Sequence, residues 1–378
     1  MAFELKLKEQ IIGYAAESKP KGSKEINIRV SGFATTEDGE YFLQVLEGVS
    51  GAYVSKFPRE KAIKESQIDH LVVIVRKDKT ATVYVNELKF IAQMRVKKAK
   101  WNAGDPILAD DIVDIKSLRI DGVTIPKDAG MVVVLSAGWR KCVFYDYSPI
   151  ASPSTELRDY DVEITLAKMW VMLHQNDRFK ISDSEWRALF QRQWFPFISL
   201  GAKRTKELLN HLRASWNLDE LVEDICKDAI NRIPTLKAQI VNDKVFEGHR
   251  DVLAEALDNF ISGKYMSASA LLYPRLEGVM RSRQAQVAPG AKATQSKLSE
   301  SVTADPSQNR HDLSLLLPHK FQDYLEQVYF ASFDPKNVSD VSRNTVSHGV
   351  APEKMLADKK AAVIGVLILE QIAYFCAV

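Results

Sequence analysis

The sequence predicts an α+β protein: a mainly antiparallel β domain at the N-terminus, followed by a helical region. Three observations carry this. Short β-branched runs with alternating polarity fill residues 24–147. Helical spacing of apolar residues replaces them from about residue 155. A chain of 378 residues also exceeds one ordinary core, so two or three parts are expected.

In the first part, Ile26-Asn27-Ile28-Arg29-Val30 alternates as a half-buried strand does. Leu71–Val75 and Ala81–Val85 flank the polar Lys77-Asp78-Lys79-Thr80, which reads as a hairpin. Met131–Leu135 and Val143–Tyr145 form a second such pair around Gly138-Trp139. Strands of this kind build a sandwich or a partly open barrel. The stretch 148–154, rich in Ser and Pro, is the expected exit linker, so the β domain is placed at 1–150.

A helical middle region is placed at 151–244. Ser182 and Glu185 form a capping box ahead of Trp186, Leu189 and Phe190. Residues 203–217 and 219–232 read as amphipathic helices, and Trp186, Trp194 and Trp216 as core. The last domain is placed at 245–378. It should hold helices over 247–262 and 265–281, the second kinked at Pro274. Residues 284–310 lack apolar periodicity and read as a mobile insertion. Helical pattern resumes at Leu316–Phe330, followed by the polar stretch 334–354 and an apolar helix from about 357.

Apolar residues make up 46% and charged residues 26%, as in a folded soluble protein, and the net charge of +2 neither requires nor excludes a polyanionic partner. Cys142, Cys226 and Cys376 have neither disulfide-framework nor zinc spacing, which fits a reducing cytoplasm. The N-terminal MAFELKLKEQ has no signal-peptide core. The apolar run 361–378 approaches the length of a tail anchor. However, Glu370 and Gln371 would then lie in hydrocarbon, so a buried core or interface helix is expected and no membrane.

Phosphate-loop, dinucleotide, zinc-peptidase and serine-hydrolase signatures are all missing. The remaining candidate for chemistry is Arg343-Asn344-Thr345-Val346-Ser347-His348, in a polar connection before the apolar helix, with Gly349 permitting an unusual turn. Across one helical turn or slightly more, Arg343, Asn344, Ser347 and His348 are expected to share a face. By spacing alone an arginine five positions before a histidine is more often a surface or capping pair. The chemistry such a set supports is phosphoryl transfer on RNA without metal or cofactor. Histidine titrates near neutrality, so His348 can move a proton at the 2′-hydroxyl or the leaving oxygen. Arg343 can grip the scissile phosphate, while Asn344 and Ser347 orient phosphate or ribose. Products would be a 2′,3′-cyclic phosphate and a 5′-hydroxyl.

The segment resembles the R-x4-6-H motif of the HEPN superfamily, helical domains of many prokaryotic ribonuclease toxins and defence proteins. The form Arg-Asn-x-x-x-His-Gly before an apolar helix looks most like the ApeA-like and abortive-infection branches. Tyr265-Met266-Ser267-Ala268, Leu271–Gly278 and Arg281 resemble the first long helix of that domain. The resemblance covers about residues 245–378 and implies a HEPN-like helical bundle with endoribonuclease activity and a toxin or antiviral role. An antitoxin or trigger would then be a further partner. It also implies a homodimer in which two Arg343–His348 sets line one cleft, the C-terminal apolar helix forming part of the interface. Glu277 would reach that cleft and orient Arg343 or His348, or else serve as a structural helix residue.

Elsewhere, Arg95, Lys97, Lys98, Lys100 and Trp101 form a basic-aromatic cluster that can hold RNA by phosphate contact and stacking, although a lysine-protected strand edge is commoner. Asp105, Asp110, Asp111 and Asp114 match no metal-loop spacing and are read as solvent-facing. The expectation is therefore a metal-independent HEPN-type endoribonuclease whose β domain acts as sensor or substrate selector. The alternatives are a module that binds RNA or a nucleotide without cutting, and a helical interaction scaffold.

Overall fold

The computed structural model describes all residues except 1, 12, 14, 15, 19, 20, 23, 98–100, 152–156, 305–312, 335, 337, 339, 377 and 378. The chain forms two compact units, Met1–Met94 with Ile115–Asn176, and Arg95–Asp114 with Asp177–Val378. This division differs from the expected one. The first unit runs past residue 150 to Asn176, a stretch from its middle belongs to the second unit, and the expected middle and C-terminal domains share one unit.

Strands in the first unit are β1 (Ala2–Lys6), β2 (Ala16–Ser18), β3 (Asn27–Ile28), β4 (Ser31–Thr35), β5 (His70–Val75) and β6 (Thr80–Val85). After β7 (Phe90–Val96) and β8 (Ile112–Ile120), which pair with each other and have residues 95–96 and 112–114 in the second unit, come β9 (Gly130–Ala137) and β10 (Arg140–Asp146). Six of the ten make one sheet in the order β1-β6-β5-β9-β10-β4, each neighbouring pair antiparallel. The expected hairpin is there, with Leu71 opposite Val85 and Val75 opposite Ala81. Its turn is closed by the Thr80 N–H donating to Asp78 Oδ1 at 2.9 Å, with Lys79 at φ +67°.

Burial follows from what covers each face. One face packs Val73, Val83, Val132 and Val143 against Phe42, Val45, Val49 and Tyr53. These come from α1 (Glu40–Val45) and α2 (Gly51–Val54), joined by a widened turn at Leu46–Ser50. The other face carries Val72, Met131, Val133 and Cys142 and meets α3 (Val162–His174), where Cys142 Sγ lies 3.9 Å from the Met169 carbonyl. Hence β5 is apolar at every position after His70, whereas β6 alternates. The unit is therefore an open sheet between helices, neither a sandwich nor a barrel. Gly48 and Gly51 interrupt the helical pattern of α1–α2 and hide it in the sequence.

Two further expectations need correction. Only Asn27–Ile28 of the expected strand 26–30 is extended, paired with β2 and exposed; the strand in the main sheet is β4, just beyond it. Of the expected linker 148–154, Ser148–Ile150 forms a tight turn with Pro149 and Ile150 buried, and 152–154 lie outside the described residues. Beyond them Arg158 returns to the unit. It donates to Asp146 Oδ2 at 3.1 Å and to the carbonyls of Pro126 and Ala129.

In the second unit the helices after α4 (Asn176–Phe179) are α5 (Asp183–Gln191), α6 (Gly201–Arg213), α7 (Val222–Asn242) and α8 (Arg250–Ile261). They continue with α9 (Tyr265–Val287), α10 (Gln295–Thr303), α11 (Pro318–Tyr324), α12 (Arg343–Ser347), α13 (Glu353–Leu356) and α14 (Lys359–Cys376). The capping box of Ser182 and Glu185 starts α5. α9 continues through Pro274 to Val287, and α10 buries Leu298 and Val302. The expected insertion 284–310 is thus partly helical and packed, while 305–310 lie outside the described residues. Trp186 and Trp194 are core, but Trp216 is 59% exposed.

α14 is buried from Ala361 to Cys376, against α7 and α9 among others. Its polar residues have partners. Arg232 of α7 pairs with both oxygens of Glu370 at 2.9 Å, and Gln371 accepts the Ile198 N–H at 3.0 Å while donating to the Leu316 carbonyl at 2.9 Å. The helix therefore keeps no apolar face for a second copy, which corrects its expected place in a dimer interface. No helix among the described residues is long and apolar enough to cross a membrane.

Gln371→Leu would strand the Ile198 N–H and the Leu316 carbonyl; a loss of about 2 kcal/mol or more in urea unfolding is expected. Acid should weaken the fold through three histidines. Burial holds His70 below its usual 6.5 against the opposing charge of Asp69, and its Nε2 accepts the Leu88 N–H at 2.8 Å. His174 and His249 are also lowered, by burial and then by Arg140 and Arg275. All three take protons more readily when unfolded, so stability is full above about pH 6.5 and falls as pH drops toward their lower folded values. Denaturation midpoints should fall between about pH 7.5 and about pH 5.5. His70→Gln, which keeps an acceptor, should show a shallower decline; an unchanged decline would remove His70 from this account.

Candidate active site

The candidate motif is one short helix capped at both ends. The Ser342 hydroxyl accepts the Thr345 N–H at 3.2 Å, and Thr345 Oγ1 accepts the Ser342 N–H at 2.8 Å. This reciprocal cap starts α12 at Arg343. At the other end His348 is the C-cap, and Gly349 follows at φ +66°. The Gly349 N–H reaches the Val346 carbonyl at 3.1 Å, and the Val350 N–H reaches that of Thr345 at 3.0 Å. A Cβ on Gly349 would meet nothing within 4 Å, so the positive φ rather than a close neighbour calls for glycine. The spacing from arginine to histidine is the length of this helix.

Its residues face in different directions. Five positions on a helix turn a side chain by about 140°, so Arg343 and His348 do not share a face. Arg343 points to α9, where its Nε pairs with the Glu277 carboxylate. Glu277 is buried and also accepts from Arg281 Nε at 2.9 Å, so one carboxylate bridges two arginines. Arg343 Nη1 donates to Asn344 Oδ1 at 3.0 Å, and its Nη2 makes no hydrogen bond among the described residues.

Asn344 is engaged at both ends of its amide. Nδ2 donates to the carbonyls of Phe330 and Ala331 at 2.9 and 3.2 Å, while Oδ1 also accepts from Gln295 at 3.3 Å. This makes Asn344 a brace, with no group left to orient ribose or phosphate. Ser347 and His348 are exposed. The His348 ring lies 5.7 Å from that of Phe333, and neither ring nitrogen makes a hydrogen bond among the described residues.

The basic cluster lies elsewhere in the same unit. The Arg95 guanidinium donates to the Tyr374 carbonyl, one of the last in α14. A cation there complements the helix C-terminus. Lys97 Nζ donates to the Ile198 carbonyl at 3.0 Å, and burial, with the charges of Arg178 and Arg232, pushes its pKa down to about 8. Trp101 is half-buried, and Lys98 and Lys100 lie outside the described residues. Arg95 and Lys97 are thus spent on backbone carbonyls rather than forming an open basic strip. All four aspartates accept backbone N–H groups, Asp105 from Asn102 and Asp111 from Leu108, each at 2.9 Å. Asp110 accepts the Ala202 N–H at 2.7 Å, and the buried Asp114 accepts from Ser314 Oγ at 2.5 Å and from the Leu315 N–H at 3.1 Å.

A second polar group on α9 escaped sequence reasoning. His249 Nδ1 accepts from Arg275 Nη1 at 3.3 Å, which leaves Nε2 to donate to Ser282 Oγ at 2.9 Å. A Cβ at Gly278 would lie 2.9 Å from the His249 ring. The usable signal was a glycine inside a strong helical pattern.

Compared with protein-family models, curated proteins and solved structures, the chain gives no match. The brace makes a contrast that can be measured. Asn344→Ala should cost about 1–2 kcal/mol in urea unfolding by stranding two carbonyls, whereas Ser347→Ala should stay within about 0.5 kcal/mol. Equal effects would remove the brace.

Proposed function

We propose that the protein is a metal-independent endoribonuclease of HEPN type, a toxin or antiviral effector acting through Arg343 and His348. The observation that carries this reading is the state of the two groups. At one end of a doubly capped helix stands an exposed imidazole with both nitrogens unengaged among the described residues, and at the other an arginine fixed by Glu277 whose Nη2 is likewise open. A fixed guanidinium loses little entropy on gripping a phosphate, and an unengaged imidazole is ready to exchange a proton.

Because the two diverge on their helix, the reading requires a second copy of the chain. One His348 removes the 2′-hydroxyl proton, O2′ attacks phosphorus, and the bond to O5′ breaks as a second copy's His348 protonates it. Arg343 stabilises the charge gathered on the phosphoryl oxygens. A cyclic phosphate and a 5′-hydroxyl result. Asn344 and Glu277 act as positioning residues. The engagement of Arg343 by Glu277 also favours a second reading, a site that binds RNA without cutting it.

Incubating the full chain with mixed RNA and excess chelator tests this. Cleavage leaving 2′,3′-cyclic ends is expected, falling about 100-fold or more in His348→Ala, with unchanged unfolding midpoints. RNA retention without cleavage would transfer the site to the binding reading, and cleavage undiminished in His348→Ala would overturn the assignment.

A further inference from the structure

Buried arginines in this chain usually have well-made partners. Arg158 meets Asp146 and two carbonyls. Arg178 makes no ion pair among the described residues but donates to the carbonyls of Pro196 and Phe197 and to Thr205 Oγ1, at 2.5 to 3.2 Å. Arg283 of α9 differs. It is 5% exposed, and among the described residues its Nε has no partner and its one hydrogen bond runs 3.4 Å from Nη2 to the Ala304 carbonyl. No carboxylate among the described residues pairs with it. Leaving a buried guanidinium so poorly paired is costly unless something else meets it.

Arg283 lines a cavity of about 480 Å³ within the helical unit. Its inner wall is largely apolar, with Val245, Phe246, Ala373 and Cys376. Lys244 and Lys97, whose ammonium also donates to the Ile198 carbonyl, add two cations, against one carboxylate among the lining residues, that of Asp243, which already accepts the Val245 N–H at 2.9 Å. The amides of Gln239, Asn242 and Gln286 stand around the same space. An apolar body with an excess of cations and a few amide groups is how a site for a small charged organic molecule is built. The cavity is lined by neither Arg343 nor His348.

We propose that this cavity binds a small organic anion, one phosphate or carboxylate on an apolar or aromatic body, with Arg283 holding the anionic end. The guanidinium fork gains the charge-assisted bonds it lacks, and the body covers Phe246 and its apolar neighbours. An anion also favours the ammonium form of Lys97, which burial disfavours.

Titration calorimetry on the full chain tests this with two probes, adenosine 5′-monophosphate and octanoate, each at millimolar concentration. Binding of at least one is expected, and which one binds tells a nucleotide from a fatty carboxylate. The neutral analogues adenosine and octanamide should bind about tenfold more weakly or not at all, the worth of one charge-assisted bond. Arg283→Met should weaken the anion similarly while keeping or raising the unfolding midpoint without ligand, since it removes a buried unpaired charge. Ala238→Trp, on the exposed side of α7 at the cavity, should block binding without touching Arg283. No binding by either probe, equal binding of the neutral analogue, or wild-type affinity in both variants would overturn the proposal.

Discussion

A helix that is apolar all round has no side to offer water, and α14 imposes that condition on the helical unit. Other elements must enclose it completely, and every polar atom it carries inward must be matched. Glu370 takes Arg232 from α7, Gln371 joins Ile198 to Leu316, and Arg95 covers a carbonyl of the last turn. Packing is close enough that a Cβ on Gly365 would lie 3.1 Å from Leu272 of α9. α9 therefore has one side committed to α14, and its remaining sides carry the groups of interest. Glu277 meets Arg343, Gly278 admits His249, and Arg283 lines the cavity.

The motif helix depends on this arrangement more than on its own five residues, since so short a helix has little stability of its own. Its caps define where it begins and ends. The Glu277 pair ties it to α9, and the Asn344 amide ties it to the carbonyls after α11. Tyr329 adds a further tie, donating to the Tyr273 carbonyl at 2.5 Å. Rigidity at Arg343 and openness at His348 thus have separate causes, one in α9 and the other in the exposed C-cap.

What could be read in advance follows the physics of each segment. The β5–β6 hairpin was legible because two β-branched runs flank a polar turn. α5 was legible from the Ser182–Glu185 box, and α14 from its unbroken apolarity. Strand 26–30 misled because alternation marks a half-buried strand only if a sheet covers one side, and here the cover begins at Ser31. α10 was missed because its buried face is built partly from Ser299, Ser301 and Thr303, whose hydroxyls bond back to helix carbonyls. Arg95 and Lys97 looked like an RNA strip because sequence shows charge but not the carbonyl that consumes it. Arg343, Asn344 and His348 were legible as a motif, but the shared face expected of them fails because five helical positions turn a side chain by about 140°, and the burial of Arg283 was hidden because an arginine in a polar run gives no sign of it.

The segment Arg95–Asp114 lies in the sequence between strands of the sheet unit yet belongs to the helical one, and this sets an order on the growing chain. The sheet unit has all its strands and α3 once Asn176 has been made. Arg95, however, waits for the Tyr374 carbonyl, 279 residues later, an interval on the order of tens of seconds at the pace of a ribosome. Through that time this end of the excursion lacks its last partner, although Lys97 and Asp110 meet Ile198 and Ala202 only 101 and 92 residues after themselves.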